Sequence, residues 1–294
     1  MTKVLVTGAS GYIGAHVVNA LVARGADVVA ISRGVSATDV GPAVVKCSIA
    51  DIDANWLTER GPFDVVLHLA WTDGFDHNAS SHIDNLPLHV RFVREVMLAK
   101  IPQFVGLGTM HEIGYWQGEI GEATPTKPRS LYGIAKNALR EVACLETENA
   151  CATFQWLRPY YILGDDERNN SIFSKILRLE AEGKATFPFN SGVNRYDFID
   201  VRDLAEQIAA ASLQKDVAGV IECSSGKAVA LRDKVESFIA ERQLRIRPEF
   251  GAFPDRPYDS PAVWGSTEKI SKIMGRRAPP RHDSLSRGAN GKSR

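Results

Sequence analysis

Apolar residues along the first half of the chain alternate between short continuous runs and wider helical spacing. Lys3–Thr7 is a compact run with β-branched residues and reads as a buried strand. Residues 12–24 place Ile13, Val17, Val18, Leu21 and Val22 at helical intervals. Strand-like runs recur at 28–31, 43–47, 65–69, 104–107 and 153–157, and helix-like stretches at 86–99 and 131–148. This alternation predicts an α/β fold, a Rossmann-type doubly wound parallel sheet with helices on both faces. Right-handed crossovers then put the ligand crevice at the carboxyl ends of the strands.

Beyond Gly164 the pattern loosens. A polar turn at 165–170 precedes an amphipathic stretch at 172–181, and 187–192 reads as a loop. Strands at 196–201 and 220–223 enclose a helix at 204–213. A segment rich in proline and aromatics at 247–260 leads to a short helix at 266–274. The expected organisation is a dinucleotide-binding domain at 1–163 and a mixed segment at 164–285. The mixed segment forms a smaller C-terminal substrate-binding lobe and returns elements to the sheet. The polar tail, 286–294, is expected to be disordered.

Composition narrows the partners. Thirty-five basic residues balance 35 acidic ones, so neither a nucleic acid nor an anionic membrane is an expected partner. No apolar stretch approaches the roughly 18 residues of a membrane span. The chain enters a strand at once, which leaves no room for a signal peptide. Cys47, Cys144, Cys151 and Cys223 lack CxxC spacing and read as reduced, mostly buried and not metal-binding. A cytoplasmic location is expected.

Between the first strand and helix, glycines fall at positions 8, 11 and 14. This GxxGxxG spacing differs from the usual dinucleotide fingerprint, but the physics is shared. Glycine permits the tight turn and close approach of the backbone to a pyrophosphate, which the helix N-terminus then attracts. The second strand ends at Ser32-Arg33, where an acidic side chain would hold the ribose hydroxyls of NAD. Arg33 suits a 2′-phosphate instead, with Ser32 as a hydrogen-bonding partner. NADP is therefore the expected cofactor, with NAD as the alternative.

Tyr132 and Lys136 are four residues apart on a helix and share one face. A cation beside a phenol lowers its pKa, and such a tyrosine can exchange a proton with a carbonyl or alcohol oxygen as hydride moves. Thr109 sits just beyond the strand 104–107, where the fold presents ligand-binding groups and a hydroxyl can polarise the substrate oxygen. A strand-terminal cap is the plainer reading of Thr109.

With these residues in place, nearly the whole chain resembles an extended short-chain dehydrogenase/reductase of the nucleotide-sugar-modifying kind, in the NAD-dependent epimerase/dehydratase family. The resemblance rests on the TGASGYIG turn, the HLA segment at 68–70, YGIAK at 132–136, RPYYILG at 158–164 and YDFIDVRD at 196–203. It implies catalytic roles for Thr109, Tyr132, Lys136 and Asn85. It implies cofactor contacts from Gly8, Ser10, Gly11, Tyr12, Ile13, Gly14, Ser32 and Arg33. Ser48, Ile49, Leu69, Ala70, Trp71, Lys136, Pro159 and Tyr160 would complete that set. Met110, His111, Tyr161, Asn170 and Arg195 would touch a nucleotide-sugar substrate. The chain departs from the family pattern at Tyr161, where an asparagine is usual, at Tyr196, where an arginine is usual, and at Ser48, where an aspartate often contacts adenine.

Three family reactions compete. A 4,6-dehydratase is disfavoured because Met110-His111 replaces its Asp-Glu pair, and methionine does no acid–base work. A 4-epimerase retaining NAD is disfavoured by Ser32-Arg33. NADPH-dependent reduction of a 4-keto-6-deoxy sugar nucleotide fits best, with His111 open as a second acid–base group or an ordinary loop histidine and the role of Glu112 beside it open. Trp71 and Trp116 read either as apolar walls of the site or as core. A non-catalytic dinucleotide sensor would be expected to lose the tyrosine, the lysine or the hydroxyl. The helices at 86–99 and 131–148 resemble those that pair in family homodimers, so Val93, Met97, Leu139 and Val142 are either dimer contacts or sheet packing.

Overall fold

A computed structural model describes residues 1–34, 44–164, 171–255 and 259–275. The chain runs through β1 (Lys3–Thr7), α1 (Tyr12–Ala23), β2 (Asp27–Ser32), β3 (Val44–Lys46), α2 (Ala54–Arg60), β4 (Val65–His68), α3 (Ser81–Asp84) and α4 (Leu86–Leu98). It continues through β5 (Gln103–Leu107), β6 (Gly118–Ile120), α5 (Leu131–Asn149), β7 (Thr153–Pro159), β8 (Tyr161–Leu163), α6 (Ile172–Ala181), β9 (Thr186–Pro188) and β10 (Arg195–Asp200). The last elements are α7 (Val201–Ser212), β11 (Gly219–Cys223), β12 (Ala228–Ala230), α8 (Leu231–Glu241), β13 (Arg247–Glu249), β14 (Ala262–Gly265) and α9 (Glu268–Ile273).

Seven strands form the main sheet in the order β11-β7-β5-β4-β1-β2-β3. Every pairing in it is parallel. The fully buried runs Val4–Val6 and Val65–Leu67 explain the absence of polar alternation, because helices cover both faces. Val17 and Leu21 of α1 pack with Leu204 and Ile208 of α7 and Ile270 of α9 in one apolar cluster. Leu57 of α2, Phe92 and Val96 of α4 and Leu139 of α5 belong to a second cluster. Val93 and Leu139 are fully buried there and Met97 packs against it, so these three serve the core. β1 pairs with β2 on one side and β4 on the other, which makes it the point where strand order reverses and a crevice opens.

A smaller sheet carries β12, β10, β14 and β6, with β8 also pairing with β10. β6 and β8 both precede residue 164, so that position does not separate the two sheets. The segment expected as a loop at 187–192 begins in a strand, because β9 pairs in parallel with β13 and buries Phe189. α8 escaped the reading of the sequence because its buried stripe is narrow, Val235 and Phe238 among charged neighbours. The expectation of mostly buried cysteines fails for two of them. Cys144 is exposed on α5, and Cys151, also exposed, follows that helix; Cys223 alone is fully buried. Among the described residues, no helix is long and apolar enough to cross a membrane. The polar turn 165–170 and the tail lie outside the described residues.

Candidate active site

The turn after β1 is closed so tightly that side chains are excluded. Gly8 has φ +72°, and a Cβ there would lie 2.6 Å from the Ala70 nitrogen. A Cβ on Gly14 would lie 2.1 Å from the Gly8 carbonyl oxygen. Gly11 is the N-cap of α1 and no side chain caps that end, while Tyr12, Ile13 and Gly14 form the first turn. This terminus opens on a cleft of about 340 Å³, to which the turn contributes Gly8, Ser10 and Gly11. Ser32, Arg33, Ser48 and Ile49 line it from the ends of β2 and β3. Leu69, Ala70, Trp71 and Asn85 line it from the end of β4 and the start of α4. A glycine cradle beside an uncapped helix N-terminus, at the switch point of a parallel sheet, fits a dinucleotide pyrophosphate.

The Ser10 and Ser32 hydroxyls are 2.6 Å apart, and Ser32 also donates to the Gly34 carbonyl at 2.6 Å. Arg33 is exposed on the cleft wall. Ser48 caps the turn that begins at Ile49. Pro159 ends β7, and the buried Tyr160 phenol donates to Glu222 Oε2 at 2.9 Å, which commits that side chain to the core. Asn85 turns its amide toward the Thr72 hydroxyl at 3.2 Å.

Strand β5 and helix α5 bring Thr109, Tyr132 and Lys136 together. The Thr109 hydroxyl neighbours the Tyr132 phenol and favours its ionised form. Thr109 is also a cap, accepting from the His111 N–H at 3.3 Å, so the plainer reading holds alongside the contact with the phenol. Lys136 is 3% exposed, donates from Nζ to the Leu107 carbonyl at 2.7 Å, and lies 3.9 Å from the Trp71 ring centroid.

One expectation is reversed here. Burial pushes the Tyr132 phenol well above its ordinary pKa, and the nearby charge of Glu112 adds to the shift, while the Thr109 hydrogen bond opposes it. Burial pulls Lys136 down to about 7, with Glu112 opposing. In this state burial, rather than the lysine, dominates the phenol. Its ammonium stands 6.0 Å from the Tyr132 ring centroid and is shared by a carbonyl and an indole face.

Histidines surround the tyrosine. His77 stacks on the Tyr132 ring at 5.4 Å and 13°, and its carbonyl accepts the Tyr132 N–H at 2.9 Å. His111 packs 4.1 Å from His77, and burial first, then His77, lowers its pKa to about 3. His82 lies 5.1 Å from the Tyr132 ring, and Trp71 stacks on His89 at 4.4 Å. Of these, His77, His82 and His89 went unread in the sequence, since isolated histidines carry no periodic signal.

Glu112 is fully buried and structural. Its Oε1 accepts from the Thr109 N–H and the Trp156 indole N–H, both at 2.8 Å, and Oε2 pairs with Arg158 at 3.1 Å. Arg158 pairs in turn with Glu222 at 2.6 Å. Met110 is buried in the lobe core together with Tyr161's neighbours Tyr196 and Phe198. The Tyr161 and Tyr196 rings lie 4.3 Å apart, tilted by 37°. Arg195 is exposed and donates to the Ala228 carbonyl at 3.0 Å. Asn170 lies outside the described residues. Trp116 is half-buried against the lobe core and donates to the Glu119 carbonyl at 3.0 Å.

A nucleotide cradle in a doubly wound sheet, with threonine, tyrosine and lysine at the carboxyl ends of its strands, defines a nicotinamide-dependent enzyme of the extended short-chain dehydrogenase type. The model of the NAD dependent epimerase/dehydratase family matches residues 4–222. The chain belongs to that family, whose members include nicotinamide-dependent enzymes that modify nucleotide sugars. It is 42% identical over 274 residues, 90% of its length and 99% of the relative's, to dTDP-6-deoxy-L-talose 4-dehydrogenase (NAD(+)) of Aggregatibacter actinomycetemcomitans. It is 25% identical over 252 residues, 81% of its length and 79% of the relative's, to dTDP-6-deoxy-L-talose 4-dehydrogenase (NAD(P)(+)) of Kitasatospora kifunensis. The solved structure of MoeE5 in complex with UDP-glucuronic acid and NAD shares the fold, with a TM-score of 0.80 at 22% identity over 95% of this chain and 94% of that one.

Proposed function

We propose that this protein transfers hydride between NAD(P) and C4 of a dTDP-linked 6-deoxyhexose, acting as a 4-dehydrogenase and, in reverse, a 4-ketoreductase. The 42%-identical relative supports the substrate class. The observation that carries the reaction type is the company of Tyr132. Its phenol meets the Thr109 hydroxyl, while Glu112, the carboxylate that acts on it, is committed to Thr109, Trp156 and Arg158. Met110 has no titratable group, and His111 is held neutral at physiological pH. Dehydration needs a carboxylic acid at the sugar, and this site offers none in those positions.

The nicotinamide supplies or accepts the hydride. Tyr132 gives the proton to the C4 oxygen in reduction and takes it back in oxidation. Thr109 donates a hydrogen bond to the same oxygen. Lys136 balances charge beside the phenol. Ser32 and Arg33 support NADP, the arginine by pairing with a 2′-phosphate. Purified protein offered dTDP-linked 4-keto-6-deoxyhexose with NADPH or NADH should oxidise the coenzyme, faster with NADPH. Inertness toward that sugar, with turnover of a sugar nucleotide that has an ordinary hydroxymethyl group, would overturn the substrate class.

The exposed Ile134 and Leu145 lie on one side of α5, and the Arg94–Glu146 ion pair ties α4 alongside, near the exposed Leu98. We take this strip as the face of a homodimer, which sedimentation at micromolar protein should detect.

A further inference from the structure

Trp71 is held from several directions. Its indole N–H donates to His82 Nδ1 at 3.0 Å. His82 Nε2 lies 2.7 Å from the Asp76 carbonyl, which can only accept. The proton therefore sits on Nε2, and His82 is the neutral tautomer whose Nδ1 is an acceptor. His89 stacks on the indole at 4.4 Å and 22°. Its Nδ1 meets His68 Nε2 at 2.9 Å, and His68 Nδ1 meets the Thr7 hydroxyl at 2.8 Å. Burial, with Lys136 nearby, disfavours charge on both rings. The ring stacked on Trp71 is thus uncharged, and the indole's electron-rich face is not shared with a second cation.

That face lies 3.9 Å from Lys136 Nζ. The groups acting on this ammonium are the Leu107 carbonyl, Glu112, the neutral pair His68 and His89, and Tyr132. Glu112 favours the charge from a carboxylate already neutralised by Arg158. The carbonyl and the indole are the direct contacts that reward protonation against burial.

We propose that Trp71 is a positioning residue for Lys136: its indole face, clamped by His82 and His89, holds the lysine amine beside Tyr132 and favours its protonated form. The inference rests on the role given to Lys136 above. It gives a reason for an aromatic residue directly after the HLA segment, on the wall of the cofactor cleft.

The test reads Lys136 itself, in cofactor-free protein. Lysine labelled with ¹³C at Cε gives a resonance for Lys136, identified by its loss in Lys136→Met, whose chemical shift follows protonation. Trp71→Leu should lower the titration midpoint by about one pH unit, the size of a desolvated cation–π contact. Trp71→Phe keeps a ring face and should lie between that variant and the wild type. His82→Ala, which releases the clamp and leaves the indole, should shift the midpoint in the same direction by less. A folded Trp71→Leu protein titrating at the wild-type midpoint would overturn the proposal, and so would an unshifted Trp71→Phe should the leucine variant not fold. Normal turnover by Lys136→Met would instead remove the lysine's catalytic role and leave the titration result standing.

Discussion

Glu112 Oε1 joins Trp156 to Thr109: one carboxylate oxygen accepts the indole N–H and the threonine's backbone N–H, each at 2.8 Å. Thr109 is therefore set by a group buried beneath the site. Glu112→Ala should destabilise the fold by about 3 kcal/mol, because it leaves Arg158 with a single partner and strands two buried donors. Its denaturant midpoint should fall, and kcat should fall with it as Thr109 loses its anchor. Glu112→Gln, which keeps an acceptor oxygen, should lose less of both. Full activity and stability in Glu112→Ala would remove this supporting role.

Tyr132→Phe deletes the proton donor and keeps the ring that stacks on His77. Turnover should drop by roughly 10²- to 10⁴-fold. NADPH binding, read by quenching of protein fluorescence, should stay near the wild-type value.

Much of this site was legible in the sequence because its parts are local. Gly8 and Gly14 are dictated by a turn, and Tyr132 and Lys136 by helix periodicity. The parallel sheet followed from continuous apolar runs, which need helices on both faces. What could not be read depends on distant packing. The phenol's shift runs upward because burial, invisible in spacing, dominates it. The role of Glu112, open in the sequence, is set by Arg158 and Trp156 on β7. β9 and β13 are too short to announce themselves alone, and β6 enters a sheet whose other strands all come later in the chain.

Acid should unfold the protein through its buried imidazoles. His89 and His111 are each held down to about 3, chiefly by burial, against an ordinary value of 6.5. Their folded pKa values are depressed, so the unfolded chain binds their protons first. The stability they contribute is complete above about 6.5 and is lost as pH falls from there toward 3. Thermal midpoints measured across that window should drop steeply. The slope should be shallower in His89→Gln and in His111→Asn; an identical slope in both would show that other groups govern the transition.

Arg33→Ala should raise the KM for NADPH by about tenfold, the scale of one charge-assisted phosphate contact, and leave the KM for NADH nearly unchanged. Equal effects on the two coenzymes would mean that Arg33 does not touch a 2′-phosphate.

Net hydride transfer at C4 is decided by its stoichiometry. The purified protein should be denatured to identify any retained dinucleotide. Native protein should then receive dTDP-linked 4-keto-6-deoxyhexose and excess NADPH, with coenzyme absorbance and the sugar product followed together. One NADPH should be oxidised for each 4-hydroxy sugar formed, by protein that carries little bound coenzyme. Tightly retained NAD, with interconversion of 4-epimers and no net coenzyme consumption, would contradict it.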